Sequence, residues 1–159
     1  MLKVISKRTL LSFGVMAPLL GMVVLAAPAA AQDSRYGKVK VVYHLNGDST
    51  DGKAYKQALG NIRNHIAAVG KDNADIKVVM HGDGVNILRL ATTDMALQGT
   101  IADLKTSNKV AFLVCKNTLV QRKIDPDKDL FDVNAEDIVP SGVAEVAHLQ
   151  TKGYSYLKP

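Results

Sequence analysis

Cysteine is almost absent from this sequence, in which Cys115 is the only one among 159 residues. A single cysteine excludes an intramolecular disulfide, so the fold cannot depend on one. In an exported protein, an odd cysteine indicates either a disulfide between molecules or a free reactive thiol. Cys115 is therefore the first residue to consider for chemistry.

Several motifs are also missing, and each absence disfavours a class of function. Gly82 and Gly84 lack the third glycine of a dinucleotide-binding fingerprint, and no Gly-x-Ser-x-Gly nucleophile elbow is present. No Cys-x-x-Cys or His-x-x-x-His pair offers the short ligand spacing of a metal site. After residue 31 no Lys/Arg cluster interleaved with aromatic residues remains, so a nucleic-acid partner is not expected.

The first 31 residues have the organisation of a secretory signal peptide. Basic residues among the first eight precede the apolar run Leu10–Ala27 and the alanines Ala29–Ala31. A basic start, an apolar centre and an Ala-x-Ala site are typical of an exported precursor. We predict cleavage between Ala31 and Gln32, a periplasmic location and no membrane contact afterwards. An uncleaved membrane anchor is the alternative, because the apolar run is long.

Removal of this leader changes the charge of the protein. Lys3, Lys7 and Arg8 leave with it and no acidic residue does, so the formal net charge falls from +5 to +2. The remaining 128 residues suit one domain with one hydrophobic core. We therefore predict a signal peptide over residues 1–31 and a single domain over residues 32–159.

Beyond the leader, β-rich apolar runs alternate with segments of helical periodicity. In the first helical segment Tyr55, Leu59, Ile62 and Ile66 recur at three- and four-residue spacing, and Gly70 ends it. This alternation is typical of a parallel sheet with helices on both faces. We predict a three-layer α/β/α sandwich with a mainly parallel five-stranded sheet, its strands at Lys38–His44, Ile76–Met80, Val110–Val114, Ile138–Pro140 and Tyr154–Leu157.

The segment KVAFLVCKNTL, Lys109–Leu119, places Cys115 at the end of a buried strand. Ligands of open α/β sheets bind outside the carboxyl ends of the strands. If Asn117 or Thr118 caps a following helix, the sulfur lies near a helix N-terminus with Lys116 beside it. Both features favour the thiolate over the thiol. The alternative is an inert cysteine that packs as a small apolar side chain.

Polar residues follow three other predicted strands and should share this edge of the sheet. The candidate site residues besides Cys115 are His44, Asn46, His81, Gly82, Asn117 and Ser141. A histidine near the thiol could lower its pKa or move a proton, or it could simply satisfy a loop carbonyl. His44, His81 and Cys115 also have the residue types of a copper or zinc site, but their spacing does not favour one. His65 and His148 are expected on solvent-exposed helix faces.

Three segments of the chain resemble a known family. HGDGVN (His81–Asn86), FLVCKNTL (Phe112–Leu119) and DIVPSGVAEVAHLQTKGYSYLKP (Asp137–Pro159) are similar to the DsrE/DsrF-like sulfur-relay family, and more closely to its small single-domain branch with a signal peptide. The resemblance implies a five-stranded parallel sheet between helices and assembly into homo-trimers or homo-hexamers. In the sulfur-transfer members, a cysteine at the corresponding strand end accepts sulfur as a persulfide and passes it to a partner. That position falls on Cys115.

These observations lead to one functional hypothesis and two alternatives. The hypothesis is a periplasmic protein that carries sulfane sulfur on Cys115 and transfers it to a protein partner, with at most a sulfurtransferase-like activity and no cofactor. Backbone and side-chain donors of Asn117 would stabilise the thiolate, and His44 or His81 would assist proton transfer. The first alternative is a non-catalytic oligomeric module that binds a small ligand or partner at the same edge. The second is the soft-metal site of His44, His81 and Cys115.

Overall fold

The structure is a computed structural model that describes residues 35–159. The predicted signal peptide and its cleavage site between Ala31 and Gln32 lie outside the described residues. Within residues 35–159, no helix has both the length and the apolar character needed to span a bilayer.

A single five-stranded sheet organises the described chain, with the strand order β4-β3-β2-β1-β5. All neighbouring strands run parallel, which confirms the predicted α/β fold. The predicted fourth strand is shorter than expected, because only two residues pair before Pro140, which has no amide hydrogen to donate. The strands are β1 (Val39–Leu45), β2 (Ala74–Met80), β3 (Ala111–Cys115), β4 (Ile138–Val139) and β5 (Ser155–Leu157).

Six α-helices connect the strands of the described chain. The first one starts at Lys53, directly after Gly52, which takes a left-handed conformation (φ 70°). The helices are α1 (Lys53–Val69), α2 (Asn86–Leu90), α3 (Met95–Thr106), α4 (Lys116–Arg122), α5 (Pro126–Asp129) and α6 (Gly142–Thr151), and short 3₁₀ turns cover Gly82–Val85 and Ala135–Asp137.

The strand order explains why the two faces of the sheet are covered unequally. Strands β1 to β4 follow one another in one direction, so their right-handed crossovers place α1 and α3 on the same face. The chain then returns past the whole sheet to put β5 beside β1, and this reversed crossover carries α6 onto the opposite face. The structure therefore has the three predicted layers, with α6 as the described helix of the third.

Two apolar clusters lie on the two faces. The larger one packs α1, α2 and α3 on the sheet and contains fully buried residues such as Leu59, Ile62 and Phe112. The smaller one joins Val42 and Val79 of the sheet to two residues of α6, Val146 and Leu149. The larger cluster is the main hydrophobic core, whereas the apolar residues of the second face are covered by one short helix, α6.

One helix residue does not lie where the periodicity predicts. His65 of α1 is half-buried, and a hydrogen bond of 2.9 Å joins its Nδ1 atom to the Tyr43 hydroxyl. The prediction of a solvated His65 is therefore wrong, because the β1 tyrosine reaches it from the sheet. His148 of α6 is exposed, as predicted.

Candidate functional site

Cys115 occupies the point where strand β3 passes directly into helix α4. It is itself the residue that precedes the first turn, with an extended backbone (φ −72°, ψ 115°), so the helix begins at Lys116. The prediction that Asn117 or Thr118 caps this helix is wrong, because no loop separates strand from helix. The sulfur nevertheless lies near a helix N-terminus, as predicted, since the amides of the first helical turn are oriented towards Cys115. Its side chain is buried, with 5% of the residue exposed.

The surroundings of the Cys115 sulfur favour its charged form. Burial by itself raises the pKa of this thiol. Hydrogen bonds from the Gly142 backbone, the Thr118 hydroxyl, and the backbones of Thr118 and Asn117 outweigh burial and lower the pKa of Cys115 below its ordinary value. Of the backbone and side-chain donors predicted for Asn117, only the backbone contributes, and the residue is exposed to solvent.

Thr118 is a site residue whose role the sequence did not indicate. Its hydroxyl oxygen accepts a hydrogen bond of 3.0 Å from the Gly82 amide, and the residue is 6% exposed. Because the oxygen accepts from Gly82, the single hydroxyl hydrogen can be donated to the Cys115 sulfur. Thr118 thereby joins the loop after β2 to the thiol. The sequence signal that could have indicated this role is the position of Thr118 in the first helical turn after the cysteine.

The start of helix α6 closes the site from the other face of the sheet. The Ser141 hydroxyl accepts from the Ala144 amide (3.4 Å), so Ser141 caps the helix. A β-carbon built on Gly142 would lie 2.9 Å from the His81 β-carbon and 3.2 Å from the Cys115 β-carbon. Only glycine permits this close approach, and it brings the Gly142 amide to the sulfur.

The structure brings the two predicted histidines into direct contact. The Nε2 atoms of His44 and His81 are 2.6 Å apart, and the rings lie 4.7 Å apart between centroids. The Nδ1 atom of His44 is 2.9 Å from the hydroxyl of Tyr156 in β5, a residue that sequence reasoning did not include. Burial, followed by the charges of His81 and Lys158, lowers the pKa of His44, and burial lowers the pKa of His81. Both imidazoles are therefore neutral near pH 7, and one donates to the other.

The remaining candidates are Gly82, in the loop after β2, and Asn46, in the loop after β1. Gly82 has a left-handed conformation (φ 55°), and a β-carbon there would lie 3.8 Å from the Asn46 carbonyl oxygen. Asn46 thus borders the loop through its backbone. Asp83 accepts a hydrogen bond of 2.7 Å from Arg122 of α4, forming a partly exposed ion pair. Thr118 and Arg122 together tie this loop to the helix that follows Cys115.

A metal centre is not assembled by these side chains. Among residues 35–159, no group of three or more His, Cys, Asp or Glu side chains is arranged to hold a metal ion. The Nε2 atoms of His44 and His81 hydrogen-bond to each other, which occupies one nitrogen of each ring. The geometry instead fits proton exchange beside a thiol.

The family comparison covers the complete site. A model of the DsrE/DsrF-like family matches residues 40–159, a range that includes Cys115, both histidines and Tyr156. The chain belongs to the DsrE/DsrF-like family. This confirms the predicted family, and membership associates the chain with sulfur-relay functions at the level of the family as a whole.

A solved structure supports the fold of this DsrE/DsrF-like protein. This chain is similar to MTH1491, a protein of unknown function from Methanobacterium thermoautotrophicum, with a TM-score of 0.62. The two chains are 32% identical over 77% of this chain and 100% of that one. Among curated proteins no match is found.

Proposed function

We propose that this DsrE/DsrF-like protein carries sulfane sulfur as a persulfide on Cys115 and transfers it to a partner protein. The observation that supports this most directly is the set of hydrogen bonds to the Cys115 sulfur from α4 and α6, which lowers its pKa although the residue is buried. A thiolate, and not a thiol, attacks sulfur donors.

The proposed reaction is thiol–persulfide exchange. The Cys115 thiolate attacks the outer sulfur of a low-molecular-weight persulfide or polysulfide, a new S–S bond forms, and the S–S bond of the donor breaks. The bonding electron pair leaves with the donor thiolate, which takes up the proton that Cys115 lost. Transfer to the acceptor repeats these steps in reverse, so neither an external oxidant nor a cofactor takes part. Because the added sulfur extends the side chain by about 2 Å, it can reach a partner that the buried thiol cannot.

Export and assembly belong to the same proposal. We propose that the leader is removed between Ala31 and Gln32, that the protein acts in the periplasm, and that it forms a homo-trimer or homo-hexamer. Intact mass of the protein purified from the periplasm tests the first part: a chain that starts at Gln32 is expected, and a retained leader would instead support the membrane anchor.

The test of the sulfur-carrier function is intact mass after incubation with polysulfide. Because Cys115 is the only cysteine, a gain of one sulfur mass that reductant reverses reports on this site alone. The Cys115→Ser variant is the control and should gain nothing. A wild-type protein that gains no sulfur from polysulfide or from a low-molecular-weight persulfide would contradict the proposal.

A non-catalytic oligomeric binding module is the second candidate, and the burial of Cys115 favours it. A residue that is 5% exposed also fits an inert thiol that fills space at the end of a strand. In that case iodoacetamide should modify folded Cys115 no faster than an ordinary buried thiol, and Cys115→Ala should leave ligand or partner binding intact.

A further inference from the structure

We propose that Tyr156, in the C-terminal strand β5, is the outer end of a proton relay that passes through His44 to His81 and serves the Cys115 site. The relay rests on the proposed function, because it handles the proton that Cys115 releases when its thiolate forms. It assigns a role to Tyr156, which the sequence pattern did not indicate as a site residue.

The relay is a continuous row of hydrogen bonds that links three elements. Its two steps measure 2.9 Å between Tyr156 and His44 Nδ1 and 2.6 Å between the Nε2 atoms of His44 and His81. The parallel register of β5 on β1 pairs Tyr156 with Val42, so its side chain lies on the same face of the sheet as His44, two residues further along β1. Tyr156 is 43% exposed, which gives the outer end contact with water.

Each member of the row can both donate and accept a proton. A neutral imidazole carries one N–H donor and one acceptor nitrogen, and a tyrosine hydroxyl does both. The row can therefore have its hydrogen bonds in either of two directions with the same number of protons. In one direction Tyr156 donates to His44, and in the other all the hydrogen bonds are reversed. Burial lowers the pKa of both histidines, which keeps the pair neutral and able to change direction near pH 7.

The inner end of the relay is next to the sulfur site. Gly142, whose amide binds the Cys115 sulfur, lies against the β-carbon of His81. The Nδ1 atom of His81 has no hydrogen bond to any residue within 35–159, and the residue is partly exposed. Besides Cys115, the charged groups near the row include Asp48 and Lys158, which line one cavity with His44, and the Asp83–Arg122 ion pair of the loop after His81.

The proton balance of one passage is simple. A proton from the Cys115 thiol binds Nδ1 of His81, the Nε2 proton of His81 moves to Nε2 of His44, and the Nδ1 proton of His44 moves to the Tyr156 oxygen. The hydroxyl hydrogen of Tyr156 then goes to water. One proton enters and one leaves, no bond between heavy atoms changes, and the row ends with its hydrogen bonds reversed. The opposite passage delivers a proton to the leaving thiolate of the donor.

The relay can be tested by removing the Tyr156 hydroxyl. Sulfur loading of Cys115 from polysulfide is followed by rapid quench and intact mass, across pH 5 to 9 and in H₂O and D₂O, for wild type, Tyr156→Phe and Tyr154→Phe. Tyr154 is the matched control, because its hydroxyl donates to Asp75 (2.6 Å) outside the relay. We expect Tyr156→Phe to load roughly ten-fold more slowly, with a changed pH profile and a smaller solvent isotope effect, and Tyr154→Phe to behave as wild type.

A second measurement separates the relay from the proposed function. The ¹⁵N chemical shifts of the imidazole rings report the tautomer and titration of His44 and His81, and both should change in Tyr156→Phe alone. If wild type loads sulfur and the two tyrosine variants load equally fast, the relay is wrong while the carrier function stands. If wild type takes up no sulfur, the carrier function is wrong, and unchanged histidine titration in Tyr156→Phe then overturns the relay as well.

Discussion

At the scale of single residues, the hydroxyl of Thr118 connects two parts of the site. It accepts from the Gly82 amide and donates to the Cys115 sulfur, in a position that is 6% exposed. Valine has the same shape but can neither accept a hydrogen bond from Gly82 nor donate one to the sulfur. Loss of the hydroxyl therefore removes one donor from the thiolate and leaves the Gly82 amide without its acceptor.

We predict that Thr118→Val raises the pKa of Cys115 and slows its alkylation by iodoacetamide at pH 7. The unpaired Gly82 amide should also lower the free energy of unfolding by about 1–3 kcal/mol. Thr118→Ser keeps the hydroxyl and should retain most of the wild-type reactivity. Alkylation rates as a function of pH test this, and an identical profile for the valine variant would remove Thr118 from the site.

Single residues also show how far sequence reasoning extends. The placement of Cys115 at a strand end follows from its apolar run, and the shared edge with His44 and His81 follows from any parallel sheet. The contact between the histidines depends on the register of β1 on β2, and Tyr156 enters only because β5 pairs with β1. Neither pairing is encoded in local periodicity, so neither was predictable.

At the scale of elements, the approach of α6 to β3 decides the geometry around the sulfur. A β-carbon on Gly142 would be closer to the His81 β-carbon, at 2.9 Å, than side chains normally approach. The start of α6 must therefore shift if any side chain replaces this glycine.

We predict that Gly142→Ala destabilises the fold by about 1–3 kcal/mol through overpacking, and that it raises the pKa of Cys115 by moving the Gly142 amide away. Gly99→Ala is the matched control, since nothing lies within 4 Å of a β-carbon there and Gly99 is inside α3. The control should be as stable as wild type or more so, because alanine favours helix. Urea unfolding and alkylation rates measure the two effects, and equal behaviour of both variants would contradict the prediction.

The start of α3 gives a pH-dependent prediction. The Asp94 carboxylate forms an ion pair of 2.7 Å with Lys56 and accepts from the amides of Leu97 and Ala96. The Lys56 ammonium, followed by these amides, lowers the pKa of Asp94 below its ordinary 3.8. Since the folded-state pKa is depressed, the stabilisation is fully present well above 3.8 and disappears as the pH falls through the folded-state value.

Asp94→Asn should therefore lower the melting temperature at pH 7, and its difference from wild type should shrink at pH values below 3.8. Asparagine still caps the helix, so the variant isolates the charge. Asp103→Asn, in an exposed part of the same helix, is the control. A difference that is independent of pH would show that the Lys56 pair contributes nothing.

The elements themselves were largely predictable. Helix α1 follows from the spacing of Tyr55, Leu59, Ile62 and Ile66, all of which are buried. The start of α4 was not predictable, because a strand that passes into a helix without a loop has no polar capping residue to mark the boundary. Sequence patterns find what an element buries more readily than where it begins.

At the scale of the whole molecule, the sheet face that carries α6 has a thin covering. Within residues 35–159 the α6 cluster contains only four buried residues, and Leu113 and Tyr154, which pack against it, are only partly buried. Apolar side chains also remain at the surface, including Val120 and Val143, which are 68% and 65% exposed. Association with further copies is one way to cover such surfaces.

We expect the purified protein to be a homo-trimer or homo-hexamer. Light scattering coupled to size-exclusion chromatography at several concentrations measures this directly. Val143→Glu places a charge on an exposed apolar position of α6 and should weaken association if that face is buried, whereas Val120→Glu tests the α4 surface. A monomer at all concentrations would contradict the expectation.

The pairing of β5 with β1 has a consequence for the order in which the molecule can form. β1 is the earliest of the five strands in the chain and β5 the latest, so one edge of β1 stays unpaired until every other strand has been synthesised. Such distant pairing slows folding. It also means that a growing chain contains Cys115 before it contains Tyr156, so the strand that ends in the thiol is made before the strand that completes the sheet beside β1.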